Sequence, residues 1–245
     1  MSIFIMRNPA ILAKPNFIPA QQVQGILPPP PIAMTCHYKN KEQTDKAVSS
    51  LLANSTETKR VIVVDTSVEQ DYTNDDQRVK IINLPGGKHS DGVNFGMNFL
   101  YKTQKTRKDK RVLLMDSDVE FFKPIPKLPE GVLVGQLCDR LNARYPIYPR
   151  IHPCFCVIDY GYLQEHKIPF HDWSRIANGN ELILSNDPKK DVFSPNFRKV
   201  REQDSNPWYD VGSTMYEDVK KAGGKIVNYD WSGFMIHKEG GSWRR

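Results

Sequence analysis

The sequence predicts an α/β fold built on a mostly parallel sheet. Three observations predict it. The chain alternates short apolar or β-branched runs with longer stretches of helical periodicity: residues 32–34, then 40–53, then Val61 to Val64. Several of these runs are apolar throughout, Val61 to Val64 and Val112 to Met115 most clearly, as suits strands covered on both faces. The runs break off at polar or acidic residues, at Thr35-Cys36-His37, Asp65 and Asp116, where open α/β sheets place their ligands. A chain of 245 residues with 39% hydrophobic and 25% charged residues suits one large domain.

Residues 1–31 read as an arm ahead of that domain. Pro9, Pro15, Pro19 and Pro28 to Pro31 fix φ and remove donors, so extended backbone is favoured over regular structure. Residues 32–34 form the first strand and end at Thr35, Cys36 and His37. Residues 40–53 predict a helix with Ala47, Val48, Leu51 and Leu52 as its buried stripe. Residues 60–65 are the second strand and 80–84 the third, followed by a turn at Pro85-Gly86-Gly87. A helix over 90–103 takes Ser90 or Asp91 as its cap and Val93, Met97 and Leu100 as its apolar stripe. It feeds the strand 112–115. Residues 131–137 and 154–159 are further strands, separated by a loop over 140–153 rich in Tyr, Pro and Arg. A short helix over 160–166 follows. Residues 167–206 are polar and irregular. Order resumes over 209–222, where Asp210 stands just before a helical run over 211–222 that Gly223 and Gly224 stop, and 225–229 is a last strand.

The net charge is +6, with basic residues dispersed except over 102–111, where Lys102, Lys105, Arg107, Lys108, Lys110 and Arg111 gather. Such a run suits an anionic surface, or else the solvated end of a helix, where cations complement the dipole. With no aromatic interleaving and no nucleic-acid motif, nucleic acid is not expected as a partner. Cys36, Cys138, Cys154 and Cys156 lack zinc-knuckle spacing and read as free thiols in a reducing compartment. No run is long and apolar enough to span a bilayer, and residues 1–12 are too interrupted for a secretory signal. A cytoplasmic protein is expected, with peripheral membrane contact left open.

The chemistry gathers in residues 111–124. Val112 to Met115 stops at Asp116-Ser117-Asp118. Carboxylates two residues apart on an extended chain point the same way, so both reach one cation. The pair equally suits a solvated strand end that opens a turn. Carboxylate and water ligands favour Mg2+ or Mn2+, and an imidazole tilts the choice to Mn2+. His237 follows the apolar Phe234-Met235-Ile236 and precedes Gly240 and Gly241, whose backbone N–H groups can approach a phosphate. It is a candidate metal or diphosphate contact, or else a satisfied histidine in a turn. Asp65 can accept from a base N–H or cap its own turn. His37 and His89 read as surface or hinge residues.

With these residues in place, the chain resembles the nucleotide-sugar-dependent glycosyltransferases of the GT-A fold, above all the inverting family 2. Gly92 to Asn98 followed by Leu114-Met115-Asp116-Ser117-Asp118 resembles that family's helix and DXD strand. Val61 to Val64 ending at Asp65 is similar to its base-reading strand. Tyr209-Asp210-Val211-Gly212-Ser213 resembles the segment that places the catalytic carboxylate at a helix start. The resemblance covers residues 32–243. It implies one GT-A domain over 32–245, with a nucleotide-binding half at 32–118 and an acceptor-binding half at 119–245. It implies Mn2+ or Mg2+ held by Asp118, Asp116 and His237. It implies a donor nucleotide met by Thr35, Cys36, Asp65 and Asp116, the last through the ribose. Asp210 is then the general base, unless it only caps the helix, and Trp208, Tyr209 and Arg144 line the acceptor or sugar. The reaction implied moves a sugar from a nucleoside-diphosphate donor to a glycan, lipid or protein acceptor with inversion. The spacing of His237, Gly240 and Trp243 is also similar to the His-x-x-Gly-x-x-Lys element of the retaining family 8, with Trp243 in place of the lysine, so a retaining outcome stays open. A sugar-nucleotide pyrophosphorylase would want a Gly-rich phosphate loop after the first strand, and Thr35-Cys36-His37-Tyr38-Lys39 has no glycine. A non-catalytic carbohydrate-binding relative is compatible with the fold alone.

Overall fold

The computed structural model describes residues 25–139, 148–172 and 211–238. Their strands are β1 (Ile26–Leu27), β2 (Ile32–His37), β3 (Arg60–Asp65), β4 (Val79–Asn83), β5 (Arg111–Met115), β6 (Val119–Phe121), β7 (Leu128–Pro129), β8 (Leu133–Cys138), β9 (Arg150–Asp159), β10 (Ile226–Asn228) and β11 (Met235–His237). Their helices are α1 (Lys41–Asn54), α2 (His89–Thr103), α3 (Tyr160–Glu165) and α4 (Ser213–Lys221).

The central sheet has seven strands in the order β10-β8-β9-β5-β2-β3-β4. All share one direction except β9, which runs antiparallel to both β5 and β8. From β2 the chain steps outward through α1 to β3 and β4. It then returns through α2 to β5, on the other side of β2. Right-handed crossovers in opposite directions place the two helices on opposite faces. The packing agrees. Ile32, Met34 and Cys36 cluster with Val93, Met97 and Leu100 of α2, whereas Ala33, Val61 and Val63 cluster with Ala47, Val48 and Leu51 of α1. Double coverage is why β2 is apolar over residues 32–34 and β3 over 61–64.

Helix α1 starts as its sequence dictates: the Asn40 side chain accepts from the Gln43 N–H at 3.1 Å. Helix α2 starts at His89, so neither Ser90 nor Asp91 is the cap; that position falls on Lys88. Asp91 instead sits in the first turn and accepts from the Lys88 N–H at 3.1 Å, where an anion suits the helix dipole. Two glycines let α2 lie close on the sheet. A Cβ at Gly92 would stand 2.8 Å from Cys36 Sγ and 2.9 Å from Thr66 Cγ2, and one at Gly96 would overlap Met34 Sδ.

Three further expectations are corrected. Strand β9 begins at Arg150, inside the stretch read as a loop over 140–153. The strand accommodates Pro153 because the β8–β9 register shifts there, from Gly135↔Cys156 to Leu137↔Ile151, and an irregular ladder needs no donor at that point. Helix α4 begins at Ser213, not at 211: Gly212 precedes it with φ 82°, a left-handed backbone that no helix continues through. The cap is therefore Gly212, two residues beyond Asp210. His37, read as a surface or hinge residue, is fully buried.

The described end of the arm packs on the domain. β1 pairs with β7, Arg111 donates to the Pro28 carbonyl at 3.1 Å, and Thr58 donates to Pro30. In the basic run, α2 ends at Thr103 and Arg111 pairs with Asp109 at 2.7 Å. All four cysteines are free, and all but Cys138 are buried. No helix of the described residues is long and apolar enough to cross a membrane.

Candidate metal centre

The parallel strands β2, β3, β4 and β5 end together, and the amino end of β9 lies beside them. The direction in which successive strands are added reverses between β2 and β5, so the crevice at their carboxyl ends is the switch point of the sheet. Asp116 follows β5 directly, and its N–H donates to the Cys154 carbonyl of β9 at 3.0 Å. Ser117 and Asp118 form a turn, so the two aspartates do not sit on one extended run as expected. They converge for a different reason. After the turn, β6 pairs antiparallel with β11, with Val119 opposite His237, and the Lys238 N–H donates to the Asp118 carbonyl at 2.9 Å. This ladder brings His237 from the far end of the chain to the two carboxylates.

His237 Nε2 lies 3.1 Å from Asp118 Oδ1 and 3.5 Å from Asp116 Oδ2. One ligand atom from each of Asp116, Asp118 and His237 falls within 4.8 Å of the others. Hydrogen bonds with Asp116 and then Asp118 push the His237 imidazole up to about 10, against the opposing effect of burial. Burial alone would raise the Asp116 carboxyl; the imidazoles of His237 and His89 beside it outweigh burial and hold Asp116 well below the usual carboxylate range. Asp118 is only 5% exposed. Two converging carboxylates thus draw a positive charge between them. Two hard oxygen donors and one imidazole fit Mn2+ or Mg2+, which would take the place of the imidazolium proton.

Two further histidines border this cluster. His89, the first residue of α2, places Nε2 3.3 Å from Asp116 Oδ1, which corrects its reading as a surface or hinge residue. A sequence signal was present: a helix that follows a parallel strand starts at the carboxyl end of the sheet, so its first residue faces the site. The His152 ring meets His237 edge-on at 5.7 Å, and His152 Nδ1 accepts from the Cys154 N–H at 3.2 Å.

The expected nucleotide residues lie at the same sheet end but are turned inward. Thr35 is fully buried and its Oγ1 has no partner among the described residues. Cys36 lies beneath Gly92; burial and then Asp116 push its thiol up. Asp65 is fully buried, and its oxygens accept from the Ser67 N–H at 2.9 Å and the Tyr72 N–H at 3.2 Å. That is the turn-capping arrangement, and it anchors the loop that carries Tyr72 over His37 at 4.6 Å between ring centroids. His37 Nδ1 lies 2.8 Å from Thr44 Oγ1, whose own proton goes to the Asn40 carbonyl, so His37 is the donor. Arg144, Trp208, Tyr209 and Asp210 lie outside the described residues, as do Gly240, Gly241 and Trp243.

Fold and geometry together define a class: an α/β protein with an Asp-Asp-His cluster at the switch point of its sheet. Solved structures similar to this chain include the mannosyltransferase PcManGT from Pyrobaculum calidifontis in complex with GDP-Man and Mn2+, at 12% identity and TM-score 0.38 over 59% of this chain and 50% of that one. Others are the galactosyltransferase LgtC with donor and acceptor sugar analogues, at 10% identity and TM-score 0.43 over 81% and 72%, and the glycosyltransferase GlyE from Streptococcus pneumoniae, at 12% identity and TM-score 0.37 over 56% and 36%. The chain therefore spans about half the length of the mannosyltransferase it aligns with. No family model and no curated protein sequence matches it.

Proposed function

We propose that this chain is a metal-dependent glycosyltransferase that moves a sugar from a nucleoside-diphosphate donor to a glycan, lipid or protein acceptor. One observation carries the reading: Asp116, Asp118 and His237 converge within 4.8 Å at the carboxyl ends of parallel strands. The resemblance of Leu114 to Asp118 to a DXD strand supports it. Mn2+ or Mg2+ bound there supplies Lewis-acid stabilisation of the negative charge that builds on the departing diphosphate. Asp116 and Asp118 would hold it with their carboxylates, and His237 would be the third ligand through a deprotonated Nε2. Thr35, Cys36 and Asp65 stand at the strand ends as the nucleotide subsite, offering backbone groups and, at Asp65, a loop held in shape by Ser67 and Tyr72. Asp210 takes the acceptor proton in an inverting transfer, with Trp208, Tyr209 and Arg144 toward the acceptor or sugar. The spacing of His237 to Gly240 supports a retaining outcome as the second reading.

The test is release of nucleoside diphosphate from a panel of nucleotide sugars, with Mn2+ or with EDTA. Release with Mn2+, lost with EDTA and in Asp118→Asn, is expected. Release that ignores both treatments, or none from any donor, would overturn the reading. The anomeric configuration of the product, read by proton NMR, separates inversion from retention. Inversion requires turnover to fall by about a hundredfold or more in Asp210→Asn.

A further inference from the structure

We infer that His89 is a positioning residue that fixes how Asp116 presents its carboxylate to a divalent cation. The inference rests on the metal reading of Asp116, Asp118 and His237 and deepens it. The two oxygens of Asp116 face different groups: Oδ1 lies 3.3 Å from His89 Nε2, and Oδ2 lies 3.5 Å from His237 Nε2. Among the described residues the buried His89 Nε2 has no hydrogen-bond partner besides the Asp116 Oδ1 it faces. The ring stands on a rigid support. Gly92 and Gly96 seat α2 directly on β2, and the Cys36 thiol donates to the His89 carbonyl at 3.7 Å. An Nε2–H donated to Oδ1 stops the carboxylate from swinging about its last torsion and leaves Oδ2 turned toward the cation. Outer partners that orient a metal ligand in this way are worth about 10–100-fold in metal affinity.

The experiment measures Mn2+ affinity by the EPR signal of free Mn2+, at one pH and without nucleotide, for wild type, His89→Gln, His89→Asn, His89→Ala and Asp118→Asn. The Gln amide nitrogen reaches the place of Nε2, whereas the Asn amide is too short. His89→Gln should therefore stay within a few-fold of wild type, while His89→Asn and His89→Ala should bind Mn2+ about 10–100-fold more weakly. Gln and Asn are both neutral amides, so their contrast decides the question even where His89→Ala fails to fold. Asn or Ala variants that bind as wild type would overturn the inference, and so would a Gln variant as weak as Ala. Should wild type and Asp118→Asn both fail to bind Mn2+, the metal reading itself falls and takes this inference with it. Weak binding only in Asp118→Asn removes His89 alone.

Discussion

Asp118 shows how much one side chain carries. It is nearly buried, its carbonyl holds β11 in place, and its carboxylate faces His237. Asp118→Asn keeps the shape, relieves Asp116 of a like charge and takes one of two carboxylates from the His237 imidazolium, effects that oppose each other. Its melting temperature without metal should therefore stay within a few degrees of wild type. Saturating Mn2+ should raise the wild-type melting temperature and leave the variant unmoved, as a ligand at a hundredfold excess over Kd contributes about 2.7 kcal/mol. An equal rise in both proteins would contradict the assignment. His37 makes a prediction of the opposite character. Burial lowers its imidazole below the ordinary 6.5, against the upward pull of Asp65, Asp71 and Asp45 and with the downward pull of Lys41, while the tilted Tyr72 ring packs against it. The unfolded chain then takes the proton first as pH falls, so stability present above the ordinary value is lost below it. Between about pH 7.5 and 5.5, His37→Gln should lose less melting temperature than wild type. An equal loss would show that His37 does not titrate on unfolding. Asp116, Asp118 and His237 were legible as candidates because carboxylates and imidazoles end apolar runs. His89 was legible only as the first residue of a helix at the carboxyl end of the sheet; nothing local pairs it with a carboxylate more than twenty residues away.

At the scale of elements, α2 decides where the site's second wall stands. Gly92 is the contact point: an added methyl meets Cys36 Sγ and Thr66 Cγ2, neither of them at the end of a long flexible side chain. Gly92→Ala should cost about 1–3 kcal/mol by thermal denaturation, and the lifted helix should weaken Mn2+ binding by withdrawing His89. Unchanged stability would mean that α2 is loosely seated. Helix α3 gives a simpler case. Asp159 Oδ1 accepts from the Gly161 and Tyr162 N–H groups at 2.9 and 3.0 Å, so Asp159→Ala should cost about 1 kcal/mol. Most elements could be read from the sequence because local pattern and environment agree. Strand β3 has the bounds that its β-branched run implies, and α1 begins where Asn40 caps it. Where they disagree, tertiary context prevails. Pro153 ends a strand on local grounds, yet β9 continues through it at a register shift, and Gly212 delays α4 past the start that the apolar pattern suggests.

The whole molecule supplies what no segment contains. The sequence implies strands that end on acidic residues, but the order of the sheet makes them one site: the return of α2 puts β5 beside β2 and opens the crevice at Asp116. The small β6–β11 ladder then closes it from the other side with His237. Neither arrangement was legible, because strand order and long-range pairing depend on which apolar faces meet rather than on any local pattern. The antiparallel entry of β9 between β5 and β8 escaped reading for the same reason. The central claim is that these separated residues hold one divalent cation. Titration of the wild-type protein with Mn2+, followed by EPR, tests it most directly, alongside Asp116→Asn, Asp118→Asn and His237→Gln. The account predicts one Mn2+ per chain, with affinity lost by more than about tenfold in each variant. Binding that persists unchanged in any one of the three, or no saturable binding in wild type, would contradict it.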